Sequence, residues 1–225
     1  MVLFYWEINR FSRKFVKNSI KMEETTLMVA AEQASKYSSS RVWTLDEYAD
    51  AEEFSDEKHE FHNGKRTTMP GGTLPHNEIC NNIGTVINIA LFSKETDDVH
   101  VYNSDMKVYI PLINKSVYPD LTVIADKPIL RRKDIIQNPT LLVEVLSKST
   151  EDYDRGEKFK HYKTLPSFRE YVLIDQYKAS IDVFYLENPS NGTWSETHYE
   201  GLEAEIKLQS IDCTIKTKGI YRRIF

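Results

Sequence analysis

The chain of 225 residues has only two cysteines, Cys80 and Cys213, far apart in sequence. Neither sits in a Cys-x-x-Cys or Cys/His ligand spacing, which argues against a disulfide framework and against a structural zinc site. Reduced thiols in a cytoplasmic protein are the expectation. No stretch approaches the ~20 apolar residues that span a bilayer, so no membrane partner is expected. Gly-x-Gly-x-x-Gly and Gly-Lys-Ser/Thr loops are missing, and with them any signal for a nucleotide-phosphate cradle. There is no internal repeat and no low-complexity tract. Positive charge is also in short supply: the net charge is −5. That argues against a dedicated nucleic-acid coat but leaves room for an enzyme that meets DNA through a local basic patch.

What is present suits a globular fold, with 40% hydrophobic and 12% aromatic residues. Residues 1–42 read as an N-terminal extension with little order of its own, and 43–225 as a single domain. The opening "MVLFYWEINRFSRKFVKNSIKM" runs from apolar to basic, the reverse of a secretory signal. It reads either as a basic tail that touches membrane or nucleic acid, or as an extension ahead of a start at Met22 or Met28. The polar, small residues of 29–42 read as a linker.

Thr44 followed by Glu47 has capping-box spacing and predicts a short helix with Leu45, Tyr48 and Phe54 inward. Asn63-Gly64 predicts a tight hairpin. Apolar residues from His76 to Ser93 recur at helical spacing (Ile79, Ile83, Val86, Ile87, Ala90, Leu91) and predict the one long amphipathic helix. "VHVYNSDMKVYIPL" and "SVYPDLTVIAD" each read as a strand. "TLLVEVLS" reads as a central strand, apolar on both faces, as in a sheet covered by helices on both sides. "STEDYDRGEKFKHYKTLP" predicts a helix ended by Pro166, "REYVLID" and "SIDVFYL" two further strands, and residues 193–216 an antiparallel β appendage. The expected class is mixed α/β: a mixed sheet flanked by helices, unlike a regular doubly wound array.

One residue breaks the apolar logic. Glu144 lies in the middle of "LLVEVL", where an unpaired carboxylate costs several kcal/mol unless it is paired, protonated or bound to a metal. Asp120 in "YPDL" opens a neighbouring strand. On the following helix Lys158 shares a face with Phe159, Tyr162 and Leu165, so it points at the sheet, while Lys160 and Lys163 point elsewhere. Two carboxylates and an inward lysine suit a hard divalent cation and phosphodiester hydrolysis. The plain alternative is a buried Glu144–Lys158 ion pair between strand and helix.

The run of motifs from "DEYADAEEFSDEKHEFHNGK" through "MPGGTLPHNEICNNI", "VYNSDMKVYIP" and "YPDLTVIAD" to "NPTLLVEVLSKSTEDYDRGEKFKHYKTLPSFREYVLIDQ" resembles the Uma family of restriction-endonuclease-like proteins, over roughly residues 43–220. The resemblance implies the PD-(D/E)XK nuclease fold. It implies metal-ligand roles for Asp120 and Glu144, with Glu60 in "HEFHNGK" as a third carboxylate for which Glu57 competes. It implies Mg²⁺, with Mn²⁺ as a substitute. The lysine that should stand two residues after Glu144 is replaced by Leu146, and Lys158 matches a lysine carried on the next helix, with Tyr162 on its face. His76 in "PHNEI" matches a family histidine, read either as a phosphate or metal contact or as a hydrogen-bonded helix terminus. Asp105 reads as a loop partner or a catalytic acid, Lys107 as a strand lysine that could reach a cleft, and Gly71-Gly72 as turn geometry or a close backbone approach.

The expected function is a metal-dependent endonuclease acting on double-stranded DNA, with Arg131, Arg132, Lys133 and the basic residues of 155–163 on phosphates. A non-cleaving nucleic-acid-binding or protein-interaction module on the same fold is the second expectation. A homodimer is the third, its two-fold symmetry matching the duplex, with the β tail at 179–216 as interface.

Overall fold

The computed structural model describes residues 41–94 and 98–225. The basic opening segment and most of the 29–42 linker lie outside them, and every element below belongs to the unit Leu45–Phe225. Helix α1 (Leu45–Glu52) buries Leu45, Tyr48 and Ala49. Phe54, expected inward, is 87% exposed, because the helix ends at Glu52 and the chain turns before reaching it. Strands β1 (His59–His62) and β2 (Lys65–Thr68) are joined at Asn63 and Gly64, both at positive φ (47° and 84°), as a two-residue type I′ turn requires.

Helix α2 (Leu74–Phe92) is started by Thr73, whose hydroxyl accepts the His76 amide, and by Pro75 in the first turn, where no amide partner is needed. Its buried stripe is Ile79, Ile83, Ile87 and Leu91, one residue per turn. The segment 99–112 is two strands, β3 (His100–Asn103) and β4 (Lys107–Ile110), split by a turn in which Asn103 Oδ1 accepts the Asp105 amide. "SVYPDLTVIAD" likewise divides at Pro119, which cannot donate to a ladder, into β5 (Lys115–Val117) and β6 (Leu121–Ile124). Then follow β7 (Leu130–Arg132), β8 (Ile135–Ile136) and β9 (Leu141–Leu146). The next helical run is irregular: α3 (Glu151–Tyr153) passes through a π turn (Asp154–Lys158) into α4 (Phe159–Tyr162). The chain ends with β10 (Glu170–Asp175), β11 (Ser180–Asn188), β12 (Thr193–Glu200), β13 (Glu205–Leu208), β14 (Cys213–Lys216) and α5 (Thr217–Ile220).

One sheet has the order β12-β11-β10-β9-β6-β3 and the other β2-β1-β5-β4-β8-β7, while β13 and β14 pair alone. The mixed α/β class holds: β9 and β10 run parallel, bridged by the α3–α4 run, and their other neighbours are antiparallel. β12 belongs to the main sheet, so the small antiparallel appendage is limited to β13–β14.

Strand β9 is buried along its whole length. Leu141, Val143 and Val145 pack on α2 and the small sheet. Leu142 and Leu146 pack on Phe159, Tyr162 and Tyr171 and on Val108, Ile110 and Val117 of the second sheet. Each cover of the main sheet is therefore part helix, part sheet. Glu144 falls on the second face.

Candidate active site

Register places the acids. β6 pairs Leu121 with Val143 of β9, which sets Asp120, just ahead of β6, beside the Glu144–Val145 peptide. Asp120 Oδ2 accepts the Val145 amide at 2.7 Å, and Oδ1 lies 3.1 Å from His76 Nε2 in the first turn of α2. Glu144 is 3% exposed and its Oε1 accepts from Tyr162 OH and from Lys158 Nζ, both at 2.8 Å. The π turn brings a further acid inward. Asp154 Oδ1 forms an ion pair with Lys158 Nζ at 3.1 Å that falls outside hydrogen-bond geometry, and it accepts no hydrogen bond. Helices that widen to a π turn commonly do so at functional positions.

These groups line a cleft of about 510 Å³ with Glu60, Tyr153, Ser147, Lys148, Gln176 and Tyr177. Four carboxylates (Glu60, Asp120, Glu144, Asp154) face it against Lys148, Lys158 and His76. Burial pushes the Glu144 carboxyl well above the usual carboxylate range; Lys158 opposes this, and Asp154 and Asp120 reinforce it. Burial works against the Lys158 charge, but Glu144, Asp154 and Glu60 outweigh it and hold the ammonium firmly protonated. The His76 imidazole is drawn upward in the same way: burial lowers it, and Asp120 more than compensates. A half-buried to buried set with excess acid and few cations has the donor chemistry that a divalent cation fits.

The structure thus brings Asp120, Glu144, Lys158, Glu60 and His76 to one cleft, with Tyr162 behind Glu144 as its hydrogen-bond donor. Of the two competing acids, Glu60 lines the cleft and Glu57 is exposed. Glu60 is also 3.7 Å from Lys115, a buried lysine of β5 that contacts the Tyr153 hydroxyl. The other candidates stand apart from this group. Lys107 is buried against Asp134 and the Tyr118 ring and does not line the cleft. Asp105 pairs with Lys58 at the surface, the loop-partner reading rather than the catalytic one. Arg132 and Lys133 pair with Asp50 and Glu53 of the α1 region, and Arg131 lies over the Tyr109 ring. Gly71 and Gly72 have no positive φ. Gly72 is needed for close approach, since a Cβ there would come within 2.9 Å of His76 Cδ2.

Asp154, Tyr153, Lys115 and Gln176 were not singled out from sequence. Gln176 ties the cleft floor together: its Nε2 donates to Leu146 O at 2.7 Å and its Oε1 accepts from Thr73 Oγ1 at 2.7 Å. Asp154 and Lys158 are four residues apart, the one local signal that pointed to a partner.

A family model described as "Putative restriction endonuclease", Uma2, matches residues 45–215. The chain belongs to the Uma2 family. Two proteins from Synechocystis sp. are similar to this chain along most of their length. The uncharacterized protein slr1290 is 34% identical over 179 residues, covering 79% of this chain and 90% of that protein. The uncharacterized protein sll1609 is 30% identical over 171 residues, covering 75% and 94%. The Uma2 fold is also that of an Anabaena variabilis crystal structure described as "a putative nuclease belonging to DUF820". That structure has a TM-score of 0.61 and 17% identity, covering 81% of this chain and 99% of that one. Among the described residues no helix is long and apolar enough to cross a membrane.

Proposed function

We propose that this Uma2 protein is a metal-dependent endonuclease that hydrolyses phosphodiester bonds in DNA. The observation that carries the reading is the convergence of Asp120, Glu144 and Lys158 on one cleft, beside Asp154. A structural ion pair between Glu144 and Lys158 does not by itself account for the further acids Asp120, Asp154 and Glu60 in the same cleft.

Asp120 and Glu144 are the ligands for Mg²⁺ or Mn²⁺, with Glu60 across the cleft. When bound, such a cation supplies a Lewis acid for a phosphoryl oxygen and acidifies a water beside it. Lys158 is held protonated, so its role is to orient the attacking water and offset charge that develops at phosphorus; it is not the base. Tyr162 positions Glu144 by donating to Oε1, and His76 orients Asp120. Backbone phosphates meet Lys148 at the cleft wall, next to the Tyr177 ring over which its ammonium lies at 5.6 Å. Tyr177 is 54% exposed and offers a face on which a base can stack.

Incubation with supercoiled plasmid tests the reading. Nicking is expected with Mg²⁺ or Mn²⁺ and not with EDTA. Lys158→Ala should slow it by about 10²–10³-fold, the size of one lost electrostatic donor, and Glu144→Ala by at least as much. Tight, salt-sensitive binding of DNA by wild type without any cutting would instead identify a non-cleaving module.

A further inference from the structure

We infer that His76, Cys80 and Asp120 form a site for a softer divalent cation of the Zn²⁺ or Co²⁺ type, which takes Asp120 from the hydrolytic set and so inhibits it. The binding half stands by itself; the inhibition half rests on the nuclease reading.

His76 and Cys80 are four residues apart on α2 and share a face. Asp120 faces them from the start of β6. The ligand atoms of the three lie within 4.8 Å of one another, and among the described residues they are the set of three or more potential ligands that does so. A tetrahedral zinc with bonds of about 2.0–2.3 Å needs ligand–ligand edges of about 3.3–3.5 Å, a small contraction from this arrangement. His76 Nε2 and Asp120 Oδ1, at 3.1 Å, are already close enough.

The donor set is what separates this cation from magnesium. Imidazole, thiolate and carboxylate together suit zinc or cobalt, whereas magnesium takes oxygen ligands. Three protein ligands and a fourth position facing the cleft, into which His76 and Asp120 open, is the pattern of an accessible rather than a sealed zinc site. The ring of His76 is set in place from two sides: Asp120 holds Nε2, and the bare Cα of Gly72 packs against Cδ2. Cys80 is half-buried, its side chain backed by the α2 core. On binding, its thiol proton leaves to solvent as the sulfur–metal bond forms.

Competition follows from the Asp120 carboxylate. Oδ2 is held by the Val145 amide at 2.7 Å. Oδ1, the oxygen beside His76, is left for a cation, and the soft and hard cations both need it.

Co²⁺ added to the full-length, metal-free protein is the probe. A thiolate-to-cobalt charge-transfer band in the near ultraviolet is expected in wild type. It should vanish in Cys80→Ser and persist in Cys213→Ser, since Cys213 lies on β14. His76→Ala should weaken Co²⁺ binding by at least about 10–100-fold. Cys80→Ala, with folding checked by circular dichroism, substitutes if the serine variant does not fold. Zn²⁺ titrated into the Mg²⁺-supported nicking assay should inhibit wild type, at concentrations at least about tenfold lower than in the cysteine variant. No band in folded wild type, or a band that survives loss of Cys80, overturns the site. A band lost with Cys80 but no nicking in Mg²⁺ keeps the site and fails the nuclease reading; nicking without a band does the opposite. Nicking by wild type that Zn²⁺ leaves unchanged overturns the competition.

Discussion

Glu52 and Glu144 are both glutamates sealed inside the protein, with side chains 2% and 4% exposed. They are treated in opposite ways. Both oxygens of Glu52 are saturated: Oε2 accepts the His59 amide at 3.0 Å and Tyr118 OH at 2.8 Å, and Oε1 meets His59 Nδ1 at 2.9 Å and Arg66 Nε at 3.0 Å. That knot fastens α1 to the β1–β2 hairpin. Both donors to Glu144 fall on Oε1, and the buried oxygen of Asp154 next to it has only the Lys158 ammonium, outside hydrogen-bond geometry. Glu52 has its lone pairs filled by the fold, while the cleft acids keep capacity in reserve, as the proposed hydrolytic role requires.

The contrast can be broken most decisively at Glu52. Glu52→Ala removes the acceptor shared by the buried Tyr118 hydroxyl, the His59 amide and Arg66 Nε, and should cost about 3–5 kcal/mol of stability in urea unfolding. A cost under about 1 kcal/mol would mean the knot is not structural. Asp154→Asn should act in the other direction. It removes a charge from an acid-rich cleft while keeping the side chain's shape, and should raise stability by about 0.5–2 kcal/mol while weakening Mg²⁺-supported nicking. A loss of stability there would show that Asp154 is a structural partner of Lys158.

The smallest effect concerns another buried acid, Asp182. Burial raises the Asp182 carboxyl, but His198 Nδ1 at 2.6 Å and Arg155 at 2.7 Å more than offset this and hold it below the usual range. A depressed folded-state value means that its stabilisation is complete above the unfolded value, about 3.9, and is lost as pH falls through the folded one. Asp182→Asn should therefore lower the melting temperature in the neutral region, where the stabilisation is complete, and flatten the acid limb below about pH 4, so that the variant and wild-type profiles converge in acid. An unaltered acid limb would show that Asp182 carries no such linkage.

Much of this arrangement was legible because it follows short-range periods. Two-residue alternation put Glu144 on one face with Leu142 and Leu146, and the Asn63-Gly64 turn announced its hairpin. What was hidden depends on neighbours remote in sequence or on departures from a period. Cys80 looked inert because Asp120, its partner in space, lies on another element. Asp154 escaped because a regular α-helix was assumed where the chain makes a π turn. "VHVYNSDMKVYIPL" read as one strand because alternation does not reveal that its halves join different sheets. The ion pairs of Arg132 and Lys133 are hidden in sequence because their acids, Asp50 and Glu53, stand far upstream.

The π turn has a consequence for how this site can change. An α-helix rotates by ~100° per residue, and the widened turn at Asp154–Lys158 accommodates surplus chain within a single loop of the helix. Excising one residue there, with Gly156 as the natural candidate because no neighbour crowds its Cα, would restore regular winding. Asp154 and Lys158 would then stand three apart and remain neighbours, while everything before the excision turned by ~100° relative to the aromatic anchors of α4. A change of chain length there would re-aim Asp154 toward or away from the cleft without exchanging any of its acids.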